Sequence, residues 1–330
     1  MSIPRVTSQH DLLRYDRDHG HIQLLDWRQL PDKVEFMTYA DIETISLAFD
    51  AVVMLPQSPT AFIAGYALAM VAHAWQQRPS EPRRAAIIQA TEQLRMIAPP
   101  NAYHLLEQAL EQADTAITHG QNAETAIVEF IAAKIRQSDK IAERCGRRAA
   151  ELLDDGDSIL TRGFGGTALN WMLHIAHATQ NKQITLYTTE AQPYSHGTHL
   201  MSPVSQDMGI KTELMKDEAV NDCLSQTSIH FCIIAAHQIA LDGSITASAG
   251  ASQIATLVRQ HNVPCYVLGY DGPKPDVSTS VVEEKQLTLV DVVPAEHISA
   301  IITDRGTYRP AMISRYLNDG NAPLDVIPLQ

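Results

Sequence analysis

The sequence lacks the features that mark secreted and membrane proteins. Its four cysteines are scattered over 330 residues without a C-x-x-C pair, which favours buried thiols in a reducing compartment over a disulfide framework. No run of about 18 apolar residues occurs, so we predict no membrane-spanning helix. Residues 1–20 contain no apolar core of a signal peptide. We therefore expect a cytoplasmic protein that has no membrane partner.

Basic residues are also scarce. The chain has 25 lysines and arginines against 38 aspartates and glutamates, which gives a formal net charge of −13. This balance argues against nucleic-acid binding, but it leaves room for a small basic pocket. The apolar fraction of 45% and the charged fraction of 19% are those of a globular protein. The length allows two domains, each with its own core.

The first half of the chain, residues 1–150, predicts a β-ribbon followed by helices. The segments IQLLDWRQLPDK and VEFMTY favour extended structure, and residues 60–77 are apolar nearly all round, as in a buried helix. Residues 81–98, 101–119 and 122–153 continue with helical periodicity. We predict an N-terminal β-ribbon and helical domain over residues 1–150.

The second half, residues 151–330, has a different pattern, in which short apolar strands alternate with helices. The strand segments include SILT, QITLYTTE, IHFCIIAA and VPCYVLGY, and a helix is predicted over residues 247–261. This alternation is typical of a parallel sheet covered on both faces. We predict an α/β protein whose second domain is Rossmann-like.

Ligands of such sheets bind beyond the carboxyl ends of the strands. Four segments are expected at that rim, namely Thr161–Gly166, Thr189–His199, Ala235–Gly243 and Gly269–Asp276. In the first, SILTRGFGGTALN (158–170), a strand meets three glycines and then a helix start. Backbone amides and the helix end can bind an anion there, together with Arg162. Alternatively, the glycines only permit a tight turn.

Histidines are numerous at the same rim. His196 and His199 are three residues apart, and His237 is expected to face them from the neighbouring segment. Such a set can serve as a metal site, as an acid–base pair or as ordinary polar residues at the rim. The chain contains 14 histidines, so chance spacings are expected. We assign no metal ligand and predict no cofactor.

Seven sequence blocks carry a resemblance to a known family. They are LLDWRQLP (24–31), AGYALAM (64–70), LRMIAPPNAYHLLEQAL (94–110), DSILTRGFGGTAL (157–169), LYTTEAQPYSHGTHL (186–200), IIAAHQIALDGSI (233–245) and VDVVPAEHISAIITDRGTYRP (290–310). Their order resembles that of methylthioribose-1-phosphate isomerases, whose superfamily includes ribose-1,5-bisphosphate isomerases and regulatory subunits of translation initiation factor 2B. The resemblance implies a ligand cleft between the two domains and a homodimer formed through the second.

The same resemblance implies site residues that this chain replaces. A catalytic cysteine is expected where Gly163 stands, and a catalytic aspartate where His237 stands. An arginine is expected at Gln238, and a glutamine and an arginine at His196 and His199. Phosphate-contacting arginines are also missing from MLPQSPTA and from the position before the proline in LRMIAPPNAY.

Three hypotheses for function follow. The leading one is a diverged isomerase-fold protein, a candidate pseudoenzyme, that binds a small phosphorylated sugar or nucleotide-like ligand without the cysteine and aspartate chemistry. The second is an active aldose–ketose isomerase in which His237 is the base and Glu190 assists. The third is an interaction module like those of translation factor 2B. The predicted ligand-binding residues are Arg162, Gly163, Phe164, Gly165, Gly166, His196, His199, Gln238 and Lys274.

Overall fold

The chain begins with a three-stranded antiparallel sheet. In the computed structural model, residues 3–52, 55, 59–269 and 290–313 are described. The three strands are β1 (Leu13–Asp16), β2 (His21–Leu25) and β3 (Phe36–Tyr39), and β2 lies between the other two. The β-ribbon predicted from the sequence is therefore present, with β1 as an additional strand.

Five helices follow the ribbon. They are α1 (Ile42–Val52), α2 (Thr60–Ala74), α3 (Ser80–Ile97), α4 (Tyr103–Thr118) and α5 (Ala123–Ala150). Helix α2 is apolar on nearly every side and is largely buried, as its sequence predicts. The side chain of Asn122 accepts a hydrogen bond from the Thr125 amide at 3.0 Å and so caps α5. Within the described ranges, no helix combines the length and apolar character that crossing a bilayer requires.

The remaining strands build two further sheets. They are β4 (Ser158–Thr161), β5 (Thr185–Thr189), β6 (Lys211–Met215), β7 (Phe231–Ala235), β8 (Gln238–Ile239), β9 (Ile245–Ser248), β10 (Cys265–Leu268), β11 (Val290–Val293), β12 (Ala300–Ile302) and β13 (Thr307–Tyr308). The larger sheet has the order β13-β12-β10-β7-β4-β5-β6. Its strands run parallel except β13, which pairs antiparallel with β12. The predicted α/β fold class is confirmed.

Helices cover the large sheet on both faces. They are α6 (Gly166–His174), α7 (Ser202–Asp207), α8 (Val220–Gln226) and α9 (Ala251–Gln260), with π-helical turns at Ile175–Thr179 and Gly197–Met201. One core combines the N-terminal helices with α6 and one face of the sheet. A second core lies between the other face and the helices α8 and α9. The domain boundary predicted at residue 150 coincides with the end of α5, before β4 begins at Ser158.

The helix predicted over residues 247–261 is wrong at its start. Ala247 and Ser248 belong to β9, which pairs antiparallel with β11 and β8 in a separate three-stranded sheet. Helix α9 begins only at Ala251. The reason is that Ala247 pairs with Asp291, which lies far away in the sequence, and a local pattern does not reveal such a partner.

Candidate functional site

The candidate site lies at the carboxyl ends of β4, β5 and β7. Because these strands are parallel neighbours, the segments that follow them meet at one edge of the sheet. Three of the four predicted segments are therefore brought together. The fourth begins at Gly269 and continues into residues 270–289, so Lys274 lies outside the described residues.

The centre of this rim is a close contact between Gly163 and His196. Gly163 has a φ of +56°, a left-handed conformation that side chains disfavour. A Cβ at this position would lie well inside van der Waals contact of the His196 ring atoms Cε1 and Nδ1, and 2.5 Å from the Cβ of Ala191. The imidazole of His196 therefore occupies the space that a side chain at position 163 would need.

A backbone hydrogen bond holds the His196 ring in this position. The amide of Phe164 donates to Nδ1 of His196 at 2.8 Å. The ring is only 1% exposed, and burial lowers the pKa of His196 to about 3, with a smaller contribution from the positive charge of Arg162. The imidazole is therefore neutral at pH 7. Because Nδ1 accepts a hydrogen bond, the proton of the neutral ring is assigned to Nε2.

His237 lies near His196, and its charge contributes to lowering the pKa of His196. Its amide donates to the carbonyl of Thr246 at 2.8 Å, and its Nε2 is 3.3 Å from Oγ of Ser248. Burial lowers the pKa of His237 to about 4. The two imidazoles that the sequence placed at the rim are thus both neutral at pH 7.

His199 does not join the other two histidines in the way the three-residue spacing suggests. Its Nδ1 lies 3.4 Å from the carbonyl oxygen of Leu30, in the N-terminal half of the chain. The described residues contain no group of three or more histidines, cysteines and acidic residues arranged to hold a metal ion.

Arg162 connects two neighbouring segments of the rim. Its Nη2 donates to the carbonyl of Gln192 at 3.2 Å, and the guanidinium packs against Gly250, where a Cβ would lie 2.8 Å from Nη2. Burial lowers the pKa of Arg162, while the carboxylates of Asp217 and Asp291 act in the opposite direction. The positive charge of Arg162 is therefore partly compensated by Asp217 and Asp291 within the protein.

The two carboxylates beside Arg162 also organise the backbone. Asp217 accepts hydrogen bonds from the amides of Ala191 and Gln192 at 3.1 and 2.8 Å. Asp291 accepts from the amides of Gly250 and Ser252, the former at 2.7 Å, and so caps α9. Asp217 was not identified from the sequence, because nothing in its local pattern separates it from other surface aspartates.

The other predicted site residues take different positions. Glu190 is half-buried, and its carboxylate accepts from Nε2 of Gln192 at 3.3 Å. The ring of Phe164 is buried in the core, so only its backbone faces the rim. Gln238 belongs to β8 and pairs with Thr246. In the described part of the chain, the amides of Gly165 and Gly166 donate no hydrogen bond.

A separate surface groove of about 270 Å³ runs along α5, away from this rim. Three cations line it, Arg136, Lys140 and Arg144. Nη2 of Arg144 forms an ion pair with Asp304 at 2.9 Å. The groove shares no lining residue with the rim and takes no part in the site described above.

The fold and the sequence can now be compared with those of known proteins. Residues 55–269 match the model of the initiation factor 2 subunit family. This chain belongs to that family. The family resemblance deduced from the seven sequence blocks is confirmed.

Relatives in the family include named enzymes. The chain is 26% identical over 325 residues to methylthioribose-1-phosphate isomerase of Syntrophotalea carbinolica, an alignment that covers 88% of this chain and 94% of the relative. Among solved structures, 5-methylthioribose 1-phosphate isomerase of Pyrococcus horikoshii OT3 superposes with a TM-score of 0.78 at 20% identity, covering 96% of this chain and 98% of that one. The delta subunit of translation initiation factor eIF-2B from A. fulgidus gives a TM-score of 0.74 at 19% identity, covering 92% and 98%. At these identities the solved structures support the fold.

Proposed function

We propose that this protein binds a phosphorylated sugar at the rim of the large sheet, without the cysteine and aspartate chemistry that the family resemblance implies. The observation that carries the proposal is the position of His196, whose imidazole fills the side-chain space of residue 163. The name of the relatives, methylthioribose-1-phosphate isomerase, supports a sugar phosphate as the ligand class. A nucleotide-like ligand shares the phosphate and is the second ligand to test.

The phosphate has an anion-binding position at the start of α6. The Phe164 amide is engaged by His196, but the next two amides, of Gly165 and Gly166, have no partner in the described part of the chain. These amides and the positive end of the helix dipole attract a phosphate. Arg162 adds a positive charge near this position, and the nearby carboxylates of Asp217 and Asp291 weaken its attraction for a phosphate.

Aldose–ketose isomerisation needs groups that move a proton between two adjacent carbon atoms. Gly163 offers no such group. The imidazole of His237 has a pKa lowered to about 4, so it is a weak base at neutral pH. Binding without turnover is therefore the function that the site supports best.

An active isomerase is the second candidate, with His237 as the base and Glu190 assisting. One observation favours it: an imidazole, that of His237, lies at the rim where the resemblance expects the catalytic aspartate, with its Nε2 3.3 Å from Oγ of Ser248. This candidate differs from the first in forming a product, so a single assay separates them.

The test is a thermal-shift and calorimetric titration with ribose 1-phosphate, methylthioribose-1-phosphate and nucleoside monophosphates, followed by NMR of the mixtures. Ligand at 100 times Kd should stabilise the native state by about 2.7 kcal/mol. We expect stabilisation by a sugar phosphate and no new sugar resonances. A ketose product abolished by His237→Ala would establish the second candidate. No stabilisation by any phosphate would instead favour the interaction module.

Two further expectations belong to the same proposal. A homodimer formed through the second domain is implied by the family resemblance, and a cytoplasmic location by the amino-acid composition. Light scattering of the purified protein at several concentrations tests the first, and fractionation of the source cells tests the second.

A further inference from the structure

We propose that the groove along α5 is a docking site for an acidic peptide segment of a partner protein, in which two carboxylates stand at alternate residues of an extended chain. Arg136 and Lys140 bind these two carboxylates. The described residues that line the groove lie outside the rim of the large sheet, so the inference does not depend on the proposed function.

The charge of the groove differs from that of the chain as a whole. The chain carries a formal net charge of −13, whereas the described residues that line the groove include three cations and no acid. They are Ala133, Arg136, Gln137, Lys140, Ile141 and Arg144. Each stands three or four positions from another, so they share one face of α5. The groove, of about 270 Å³, thus presents a positive face on an acidic protein.

The order of these cations disfavours the helix that carries them. Arg136, Lys140 and Arg144 follow one another at intervals of four residues. Like charges at this interval lie next to each other on a helix and destabilise it. A negatively charged partner bound along the row removes this repulsion, so the row is suited to an acidic ligand.

Asp304 shows how a carboxylate binds to this row. It lies in the turn between β12 and β13, and its Oδ2 accepts a hydrogen bond from Nη2 of Arg144 at 2.9 Å. The side chains of Arg136 and Lys140 are exposed, and they form no hydrogen bond or ion pair with any residue that the structure describes. A carboxylate of the protein itself thus fills one of three positions, and a partner can fill the other two.

The spacing of the two remaining cations fits an extended peptide. Four residues of α-helix rise about 6 Å along the axis, which separates the positions of Arg136 and Lys140. In an extended peptide every second side chain points to the same side, and these side chains repeat at about 6.6–6.8 Å. Two acidic residues separated by one residue can therefore meet both cations. Two adjacent acidic residues cannot, because their side chains point to opposite sides.

The experiment compares two peptides of identical composition, acetyl-Ser-Glu-Ser-Glu-Ser-amide and acetyl-Ser-Glu-Glu-Ser-Ser-amide, with inorganic phosphate as a third probe. Each is titrated into the full chain, and the side-chain Nε–H resonances of ¹⁵N-arginine-labelled protein are followed by NMR. The substitutions are Arg136→Ala, which also assigns the Arg136 resonance, and Lys140→Ala. Arg259→Ala is the matched control, because Arg259 is an exposed arginine on α9 that pairs with no described residue.

We expect the peptide with alternating glutamates to shift the Arg136 resonance. It should bind wild type more tightly than the peptide with adjacent glutamates by about 2- to 5-fold, the value of one exposed ion pair. Arg136→Ala and Lys140→Ala should each remove this preference, and Arg259→Ala should retain it. The circular dichroism spectra of all three variants should match that of wild type, because the substituted side chains are exposed.

Four results would overturn the inference. The first is equal affinity of wild type for the two peptides, and the second is an equal loss of binding in Arg136→Ala and Arg259→Ala. The third is tighter binding of inorganic phosphate than of the alternating peptide at the Arg136 resonance, which would indicate a site for small anions. The fourth is a dimer, detected by light scattering, that Lys140→Ala dissociates, which would assign the groove to a second copy of the chain.

Discussion

The contact between Gly163 and His196 predicts a specific cost for the smallest possible side chain at position 163. Gly163→Ala places a Cβ in a left-handed residue, which costs about 1–2 kcal/mol. It also overpacks the site against the His196 ring and the Cβ of Ala191, which costs about 1–3 kcal/mol. The free energy of unfolding should therefore fall by about 2–5 kcal/mol. Urea denaturation followed by circular dichroism measures it, with an unchanged m-value as the check on two-state unfolding.

Gly120→Ala is the matched control. Gly120 has a φ of +68°, and a Cβ at this position would meet no atom within 4 Å, so only the backbone cost remains. In the background of His196→Asn the smaller side chain frees part of the space at residue 163. The two substitutions should then couple by about 0.5–3 kcal/mol. Equal losses for Gly163→Ala and Gly120→Ala, or strict additivity with His196→Asn, would refute the packing argument.

Three further predictions concern charge. Because the pKa values of His196 and His237 are lowered to about 3 and 4 in the folded state, the unfolded chain binds more protons below pH 6.5. The free energy of unfolding should thus be constant above pH 7 and fall below pH 6.5 by up to about 1.4 kcal/mol per pH unit for each histidine. Urea denaturation at pH 7, 6 and 5 tests this. If the free energy of unfolding of His196→Asn depended on pH as steeply as that of wild type, the lowered pKa of His196 would be contradicted. Asp217→Ala leaves two rim amides unpaired and should cost about 1–3 kcal/mol in the same assay; a loss below 0.5 kcal/mol, on the order of a surface change, would contradict it. Arg144→Ala removes an ion pair in which the arginine is half exposed and Asp304 is largely buried. Because the arginine lies partly in solvent, the loss should be at most about 1 kcal/mol, and a larger loss would show that the α5 groove has a structural role.

Periodicity identified most of the elements because it reports local burial. The apolar run of α2 and the alternation of strands and helices after Gly156 each follow from which side chains face a core. The turn at Asp242 also follows from local chemistry, since its carboxylate accepts from the Ser244 amide at 2.9 Å. The β8–β9–β11 sheet was missed, because β8 has only two residues and β11 lies about forty residues beyond β9 in the sequence.

The candidate site was harder to predict because its decisive contacts are long-range. Phe164 and His196 are 32 residues apart. Neither segment by itself shows that the imidazole of His196 fills the side-chain space of Gly163. The three-residue spacing of His196 and His199 suggested a joint role, yet each packs against a different part of the chain. The sequence shows a glycine at position 163 and a histidine at position 196 as two separate features. The structure joins them, because the imidazole of His196 occupies the space that a side chain at position 163 would need.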